Sequence, residues 1–519
     1  MQGEAITAQG GGPGLSAWLH PRVAALLFLG FSSGLPLLLI FATLSLWLRE
    51  AGVDRSAATF FSWAALGYSF KFVWAPLIDR LPLPVLSSLL GQRRGWLLVA
   101  QLAVIASIAA MAFCDPGTSG GLTAMAFAAV ALGFSSATQD IVIDAYRIEA
   151  ADEKMQALLS SAYVAGYRAG MVVAGAGALY LASGLGTAAD NYVYAAWKWT
   201  YLCMAATMLI GVATTLSIQE PVRRNLSGNF HGAPDYARFL LLFALVVGTF
   251  VATFVALWGW VDWTKAWLAS SIAVDGSLVA FLLEALRLAA SVALALAVAR
   301  ACVAAGVVRQ AMVRDTYVAP VLDFFERYGR AALPILLLVG FYRVSDIVLG
   351  VIANIFYQDM GYSKEEIATV TKVFGIWMTI LGGFLGGWLA LKYGVMKVLM
   401  LGAVLTVATN LLFILLAASP GDVALLYAVI GADNLTAGLA SAAFVAYLSS
   451  LTSLSFTAMQ YAIFSSLMTL IPKLLGGYSG TMVEAVGYSW FFLGAAAIGI
   501  PVFFLVSLAA RHDGARRGR

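Results

Sequence analysis

The feature that most constrains the fold is a succession of apolar runs, each about 20 residues long, recurring from residue 23 to residue 509. A run of that length crosses the hydrocarbon core of a bilayer as a helix. Spans are expected at roughly 23–48, 56–78, 94–114, 120–146, 156–183 and 195–218, then 237–260 and 276–301, then 331–357, 364–391, 396–417, 422–449, 456–482 and 486–509. The expected fold class is an all-α polytopic membrane protein with about 14 spans, grouped six, two and six.

The composition agrees, at 61% hydrophobic and 11% charged, about half the charge of an average soluble chain. Residues 1–22 read as a Gly-rich tail without the charged, apolar and cleavable segments of a signal peptide. The other expected parts are a first six-helix bundle at 23–220, an insertion with two extra spans at 221–315, an amphipathic helix at 316–330, a second bundle at 331–510 and a basic tail at 511–519. Cys114, Cys203 and Cys302 form no CxxC pair, and His20, His231 and His512 lie outside the apolar runs. Neither a thiolate metal site nor a buried histidine relay is indicated.

The basic residues orient the chain. With the N-terminus inside, 20 of the 31 Lys and Arg fall on the cytoplasmic side, 5 on the opposite side and 6 within spans. Positive charge is retained on the cytoplasmic side, so both termini are expected there. Two bundles of six with a central interruption are the plan of the major facilitator superfamily, which carries substrate near the midplane between its bundles. The loop after the second span holds Asp79-Arg80 and then Gln92-Arg93-Arg94-Gly95. It resembles the acidic-plus-basic loop between helices 2 and 3 of that superfamily, which links the bundles on the cytoplasmic side. An ordinary positive-inside loop is the other reading, and the two carry equal weight.

Within the insertion, Trp258, Trp260, Trp263 and Trp267 cluster as expected at a membrane interface. Glu284 and Arg287 are one turn apart and can pair; a structural role is expected for them. Residues 318–330 alternate apolar and charged positions at helical spacing, as a helix lying on a membrane face does.

Charges inside a span cost roughly 2.5–3.5 kcal/mol each at the helix centre, so they face a cavity or a partner. Lys71, Gln139, Asp140 and Arg168 lie in the first bundle; Arg343, Asp346, Lys372, Asp433, Asn434, Gln460 and Lys473 lie in the second. Asp140 and Asp144 are four residues apart on one helix face, about 6 Å between them. Like charges so close disfavour double ionisation, and a carboxylate that changes protonation as access alternates is what proton coupling requires. A static pair of Asp140 with Arg168 or Lys71 is the competing reading, and Asp144 also reads as part of a loop network with Arg147. Lys71, Arg168, Arg343, Lys372 and Lys473 outnumber Asp140, Asp346 and Asp433, which suits an anionic solute. The amides of Gln139, Asn434 and Gln460 suit hydroxyls and amides on it.

Several blocks carry a closer resemblance. GFSSGLPLLLIFATLSLWL (30–48), YSFKFVWAPLIDR (68–80), RRGW (93–96), TQDIVIDAYR (138–147) and GYRAGMVVAGAGALYLA (166–182) look like the AmpG muropeptide permease family. In the second half FYRVSDIVLG (341–350), DNLTAGLASAAFVAYLSSL (433–451) and SFTAMQYAIFSSL (455–467) follow in the same order. The resemblance covers about 30–218 and 318–510. It implies a proton-coupled importer of N-acetylglucosaminyl-1,6-anhydro-N-acetylmuramyl peptides in the bacterial inner membrane, feeding peptidoglycan recycling and linked to β-lactamase induction. Related carriers move acyl-CoA or siderophores.

The expected substrate-binding residues are Lys71, Gln139, Arg168, Arg343, Asn434 and Gln460; the proton-coupling residues are Asp140, Asp346 and Asp433. Gating is expected of Asp79, Arg80, Arg93, Arg94, Asp144 and Arg147. Arg343 stands where many members of the family have Lys, and Asp433 where some have Glu. No cofactor is expected beyond the proton gradient, and no partner beyond the solute and the bilayer; the chain is expected to act as a monomer without nucleic acid. An enzyme is disfavoured, since no GxGD lies on a span, no DGxxAR run is present and the cytoplasmic loops are short. A pure sensor or scaffold would not need buried cations in both bundles.

Overall fold

The structure, a computed structural model, describes residues 20–53, 68, 70–118, 120–188, 191–221, 233–271, 276–476 and 479–517. Among these the chain is helical throughout, with one isolated antiparallel bridge between Ala188 and Asn191. Twelve helical segments are long and apolar enough to cross a membrane. They cover all the expected spans except 56–78 and 456–482, both of which run over residues outside those described. The chain forms two compact units, residues 1–224 with 324–519, and residues 225–323.

In the first half of the larger unit, helices α1 (Pro21–Ile40) and α2 (Ala42–Glu50) make one span broken at Phe41. Pro36 inside α1 has no N–H to donate, which loosens the turn before the break. Then come α3 (Gln92–Ala112), α4 (Gly121–Glu149), α5 (Glu153–Val172) and α6 (Tyr194–Thr207). A run of glycines seats α1 on α5. A Cβ at Gly30 would stand 2.2 Å from the Tyr163 carbonyl oxygen, and one at Gly166 would stand 1.9 Å from that of Leu27. Only residues without a side chain allow backbones this close. The core below holds Trp47 stacked on Trp197 with ring centroids 5.6 Å apart.

The smaller unit contains α7 (Ala233–Ala256), α8 (Trp258–Ser271) and α9 (Gly276–Ala304). Trp260, Trp263 and Trp267 on α8 are exposed. The Arg287 guanidinium lies 3.7 Å from the Phe254 ring centroid and 4.9 Å from that of Trp258. It pairs with Glu284 at 3.2 Å, and Glu284 also accepts from Lys265 at 2.9 Å. Asp235 and Arg309 pair at 3.1 Å near the ends of the unit.

Residues 310–328 are helical, with a π-helical turn at Arg314–Val318 and then α10 (Ala319–Tyr328). The second half of the larger unit follows as α11 (Ala332–Phe341), α12 (Val344–Asp359), α13 (Gly375–Tyr393), α14 (Val395–Ala418), α15 (Val423–Leu451), α16 (Thr457–Gly476) and α17 (Tyr488–Arg517). The α11–α12 span is broken at Tyr342 and Arg343, where Arg343 has φ −106° and ψ 7°. A π-helical stretch at Ala368–Phe374, which carries Lys372, precedes α13; such widened turns recur at functional positions. The two halves meet where Gly387 of α13 faces Ser161 of α5, at a distance that leaves no room for a Cβ.

Candidate transport site and gate

The first half gathers its polar groups around Asp140. Ser33, on the glycine-seated face of α1, donates to the Asp140 carboxylate and lies 3.0 Å from the Tyr163 hydroxyl. Three helices thus share one hydroxyl–carboxylate chain within the membrane span. Lys71 opens a 3-10 turn, Lys71–Val73, just before the short helix Ala75–Arg80, and it is 7% exposed. Its ammonium lies 3.6 Å from Asp144. Arg147 takes the other oxygen of Asp144 at 3.1 Å. Asp144 is therefore held between two cations, while Asp140 accepts from the Ser33 hydroxyl. Gln139 is fully buried, and among the described residues neither its amide nitrogen nor its carbonyl oxygen has a hydrogen-bond partner.

The second half gathers its charges at the break in the α11–α12 span. Arg343 donates to Asp346 one turn on, and Asp433 of α15 lies within electrostatic reach of both. Asp433 also accepts from Thr409 at 3.3 Å. Beside it the Asn434 carbonyl oxygen accepts from Thr379 at 3.0 Å, and its amide donates to the Ile430 carbonyl. Arg343 itself stands in the unwound backbone at the break, as the N-cap of α12. Broken spans of this kind mark substrate sites in transporters. Arg168, half-buried on α5, is within electrostatic reach of Arg343 and Asp346 and so faces the second half. The Lys473 side chain lies outside the described residues.

A separate group of contacts joins the halves at the end of the bundle that carries the Asp79–Arg94 loop, here called the loop end. Asp79 accepts from Arg93 at 2.7 Å and from the backbone N–H groups of Ala458 and Met459 at 3.2 and 3.0 Å. Those two N–H groups belong to the first turn of α16, whose opening donors have no partner inside the helix. Asp79 therefore caps, from the first half, a helix of the second, where the positive end of the helix dipole favours a carboxylate. Arg93 forks onto Glu149 at 3.0 and 2.6 Å and donates to the Thr457 hydroxyl at 2.9 Å. Thr457 in turn donates to Glu149.

Two further residues cross the same boundary. The Arg147 guanidinium donates to Ser449 at 2.6 Å and lies 5.0 Å from the Tyr461 ring centroid. The Arg80 guanidinium lies 5.4 Å from the Phe456 ring centroid. Arg94 does otherwise: it donates to the carbonyls of Thr215 and Leu216, within its own half, at 3.0 and 2.7 Å.

The structure thus sorts the expected residues into three places. Lys71, Gln139, Asp140 and Asp144 stand in the first half, and Arg343, Asp346, Asp433 and Asn434 in the second, with Arg168 directed across. Asp79, Arg80, Arg93 and Arg147 join the halves at the loop end. Gln460, expected at the solute, lies with the loop-end group, its carbonyl oxygen accepting from Arg327 at 2.9 Å and from the Ser453 N–H at 2.7 Å.

Five partners were not read from the sequence: Ser33, Tyr163, Glu149, Thr457 and Arg327. Each had a signal. Ser33 lies in a glycine-bounded run, Glu149 follows Arg147 on the same helix, and Thr457 opens the helix after a short polar turn. Tyr163 lies one turn before Tyr167 on α5, and Arg327 lies on the amphipathic stretch at 318–330.

Ionisable groups thus lie within the spans of both halves, and a set of polar contacts joins the halves at one end. The fold has solved counterparts. The proton:xylose symporter XylE aligns over 94% of this chain and 95% of its own with a TM-score of 0.60 at 14% identity. The human organic anion transporter MFSD10 aligns over 95% and 100% with a TM-score of 0.53 at 13% identity. The Major Facilitator Superfamily family profile matches residues 335–519, and that of acetyl-coenzyme A transporter 1 matches residues 22–210. Fold and site together define a major facilitator transporter, not an enzyme.

Full-length relatives narrow the class. A Rickettsia felis protein named AmpG 4 is 30% identical over 489 residues, covering 93% of this chain and 95% of its own. The anhydromuropeptide permease of Escherichia coli K12 is 30% identical over 493 residues, covering 95% and 80%. The chain belongs to this AmpG family of transporters.

Proposed function

We propose that this transporter imports anhydro-muropeptides, N-acetylglucosaminyl-1,6-anhydro-N-acetylmuramyl peptides, from periplasm to cytoplasm together with protons. The observation that carries the reading is the 30% identity to an anhydromuropeptide permease along 95% of the chain. The site's chemistry is compatible. Arg168 and Arg343 suit the carboxylates of a peptide stem, and Asn434 and Gln139 suit the amides and hydroxyls of an aminosugar. Asp140 is the proton carrier in this reading, with Asp346 and Asp433 as the corresponding group of the second half. Asp144 and Lys71 hold the base of the first-half site.

In the same reading the loop end is cytoplasmic, both termini lie on that side of the inner membrane, and the protein acts as a monomer. Its contacts close the inner exit while the outer side admits solute. Uptake would return cell-wall fragments for peptidoglycan recycling and set the level of those that induce β-lactamase. Uptake of labelled anhydromuropeptide into proteoliposomes, with and without an inward proton gradient, tests the proposal. Accumulation above equilibrium with the gradient is expected, and equilibration alone would remove the proton from the mechanism.

A second reading, transport of acyl-CoA, has one observation in its favour, the match of residues 22–210 to the acetyl-coenzyme A transporter profile. Acetyl-CoA in the same liposomes separates the two. Uptake of the thioester without uptake of the muropeptide would replace the first reading by the second.

A further inference from the structure

The second half's share of the loop-end joint flanks one short turn, residues 452–456, between α15 and α16. Ser449 lies just before it; Thr457 and the N–H groups of Ala458 and Met459 lie just after it. One residue bridges the base of that turn. Arg327 donates through Nη1 to the carbonyl of Leu451, the last residue of α15, at 3.0 Å. Through Nη2 it donates to Oε1 of Gln460, on the first turn of α16, at 2.9 Å. The same oxygen accepts the N–H of Ser453 from within the turn at 2.7 Å. One planar guanidinium therefore ties the end of one helix to the start of the next.

The chemistry suits the place. A guanidinium presents several donors in a fixed fork, so two acceptors can be held at once with little loss of side-chain freedom. A cation beside the last carbonyl of α15 also complements the negative end of that helix's dipole. Arg327 has a firm base. Its neighbour Phe324 is buried, with its ring centroid 5.3 Å from Phe464 of α16 and 4.9 Å from Tyr328. Tyr328 in turn lies 5.9 Å from the ring of His512 on α17. The last turn of α10 is thus fastened to two spans of the second half, with Arg327 carried between them.

We infer that Arg327 is a positioning residue for the gate. By fixing the 452–456 turn it holds Thr457 and the N-terminus of α16 in register for Glu149, Arg93 and Asp79, and so sets the balance between the joined and separated forms of the loop end. The inference rests on the reading of those contacts as a gate. It gives α10 a role in transport beyond linking the two halves of the chain. A residue that merely stabilises the second half would lower its unfolding temperature and leave the balance alone.

The test is a distance measurement between spin labels on the full-length protein in lipid nanodiscs. Labels at Ser88 and Tyr393 are suitable, since both are exposed, belong to opposite halves and lie outside the turn itself. Arg327→Ala is expected to raise the ratio of separated to joined forms about tenfold, the effect of losing one charge-assisted hydrogen bond. Arg327→Lys, which reaches one acceptor at a time, should fall between. Gln460→Glu added to Arg327→Lys should restore the joined form by pairing the ammonium, a rescue that a merely structural role does not predict. Arg330→Ala, an exposed neighbour, should change nothing.

Asp79→Asn tells the inference apart from the reading beneath it. If Asp79→Asn leaves the distances unchanged, the loop-end contacts are not a gate. If Asp79→Asn separates the halves and Arg327→Ala only lowers the unfolding temperature, the positioning role is overturned and the gate stands. Should Arg327→Ala fail to insert, Gln460→Ala removes the acceptor of the Arg327 Nη2 bond and is read in the same way.

Discussion

The Asp79 carboxylate accepts the backbone N–H of Met459 at 3.0 Å, so a residue of the first half caps a helix of the second across a separation of 380 residues. Few contacts report more directly on whether the halves are together. In the proposed cycle the N–H groups of Ala458 and Met459 would turn to water or another acceptor once the halves part.

Asp79→Ala is expected to lower the thermal stability of the purified transporter by about 2 kcal/mol, because the α16 N-terminus and Arg93 each lose a charged partner. Arg93 keeps Glu149, so the loss should fall short of a fully orphaned buried charge. Scanning calorimetry in detergent gives the value. A change within about ±0.5 kcal/mol would mean that water replaces the carboxylate at no cost.

Asp140→Asn should abolish uphill, proton-driven accumulation and spare solute counterflow. Asparagine keeps an acceptor for the Ser33 hydroxyl, so the α1–α4–α5 chain survives without a titratable group. The check is paired uptake and counterflow in the same liposomes. Uphill uptake at the unmodified rate would exclude Asp140 as the proton carrier.

Arg343→Gln should raise the KM for an anionic solute about tenfold, the effect of one charge-assisted hydrogen bond. Arg343→Lys keeps the charge without the fork and should cost less. Lys71→Gln offers a contrast, since Lys71 stands 3.6 Å from Asp144 and its loss should be felt in turnover as well as in KM. An unchanged KM in Arg343→Gln would take the guanidinium out of the solute site.

Gly166→Ala is expected to destabilise the first half by about 2–3 kcal/mol, the usual effect of overpacking where the backbone cannot give way. The added carbon would stand 1.9 Å from the Leu27 carbonyl oxygen. Thermal unfolding of the variant beside Gly184→Ala, where a Cβ meets nothing within 4 Å, checks the claim. Equal melting temperatures would contradict the close crossing.

Removal of residues 221–315 behind a short linker should leave measurable transport, because residues 225–323 form a compact unit of their own. Uptake by a correctly inserted deletion variant is the measurement. Its complete loss would make the two additional spans part of the machinery.

What could be read in advance followed from periodicity and composition. Span positions come from hydropathy, and the loop of Asp79, Arg80, Arg93 and Arg94 from the spacing of opposite charges. Partnerships over long separations were hidden. Arg93 meets Thr457 across 364 residues, and nothing local in a polar turn before an apolar run says which helix it will face. Gln460 shows the same limit: an amide near the start of a span looks like a solute ligand until Arg327 is seen against it. The break at Arg343 was also silent, because Tyr342 and Arg343 are ordinary helix formers and it is tertiary context that unwinds them. Ser33 and Tyr163 were overlooked because hydroxyls in glycine-rich runs look like packing, and here they also serve Asp140.

The glycine crossing of α1 on α5 has a mechanical consequence. With carbonyls of one helix resting where side chains of the other would be, no layer of rotamers remains to absorb a shift between them. A displacement begun at Ser33 is expected to carry α5 with it along the crossing at Gly30, Gly34, Gly166 and Gly170. In the proposed mechanism, a change of protonation at Asp140 would therefore be felt by α1 and α5 together, through Ser33 and Tyr163.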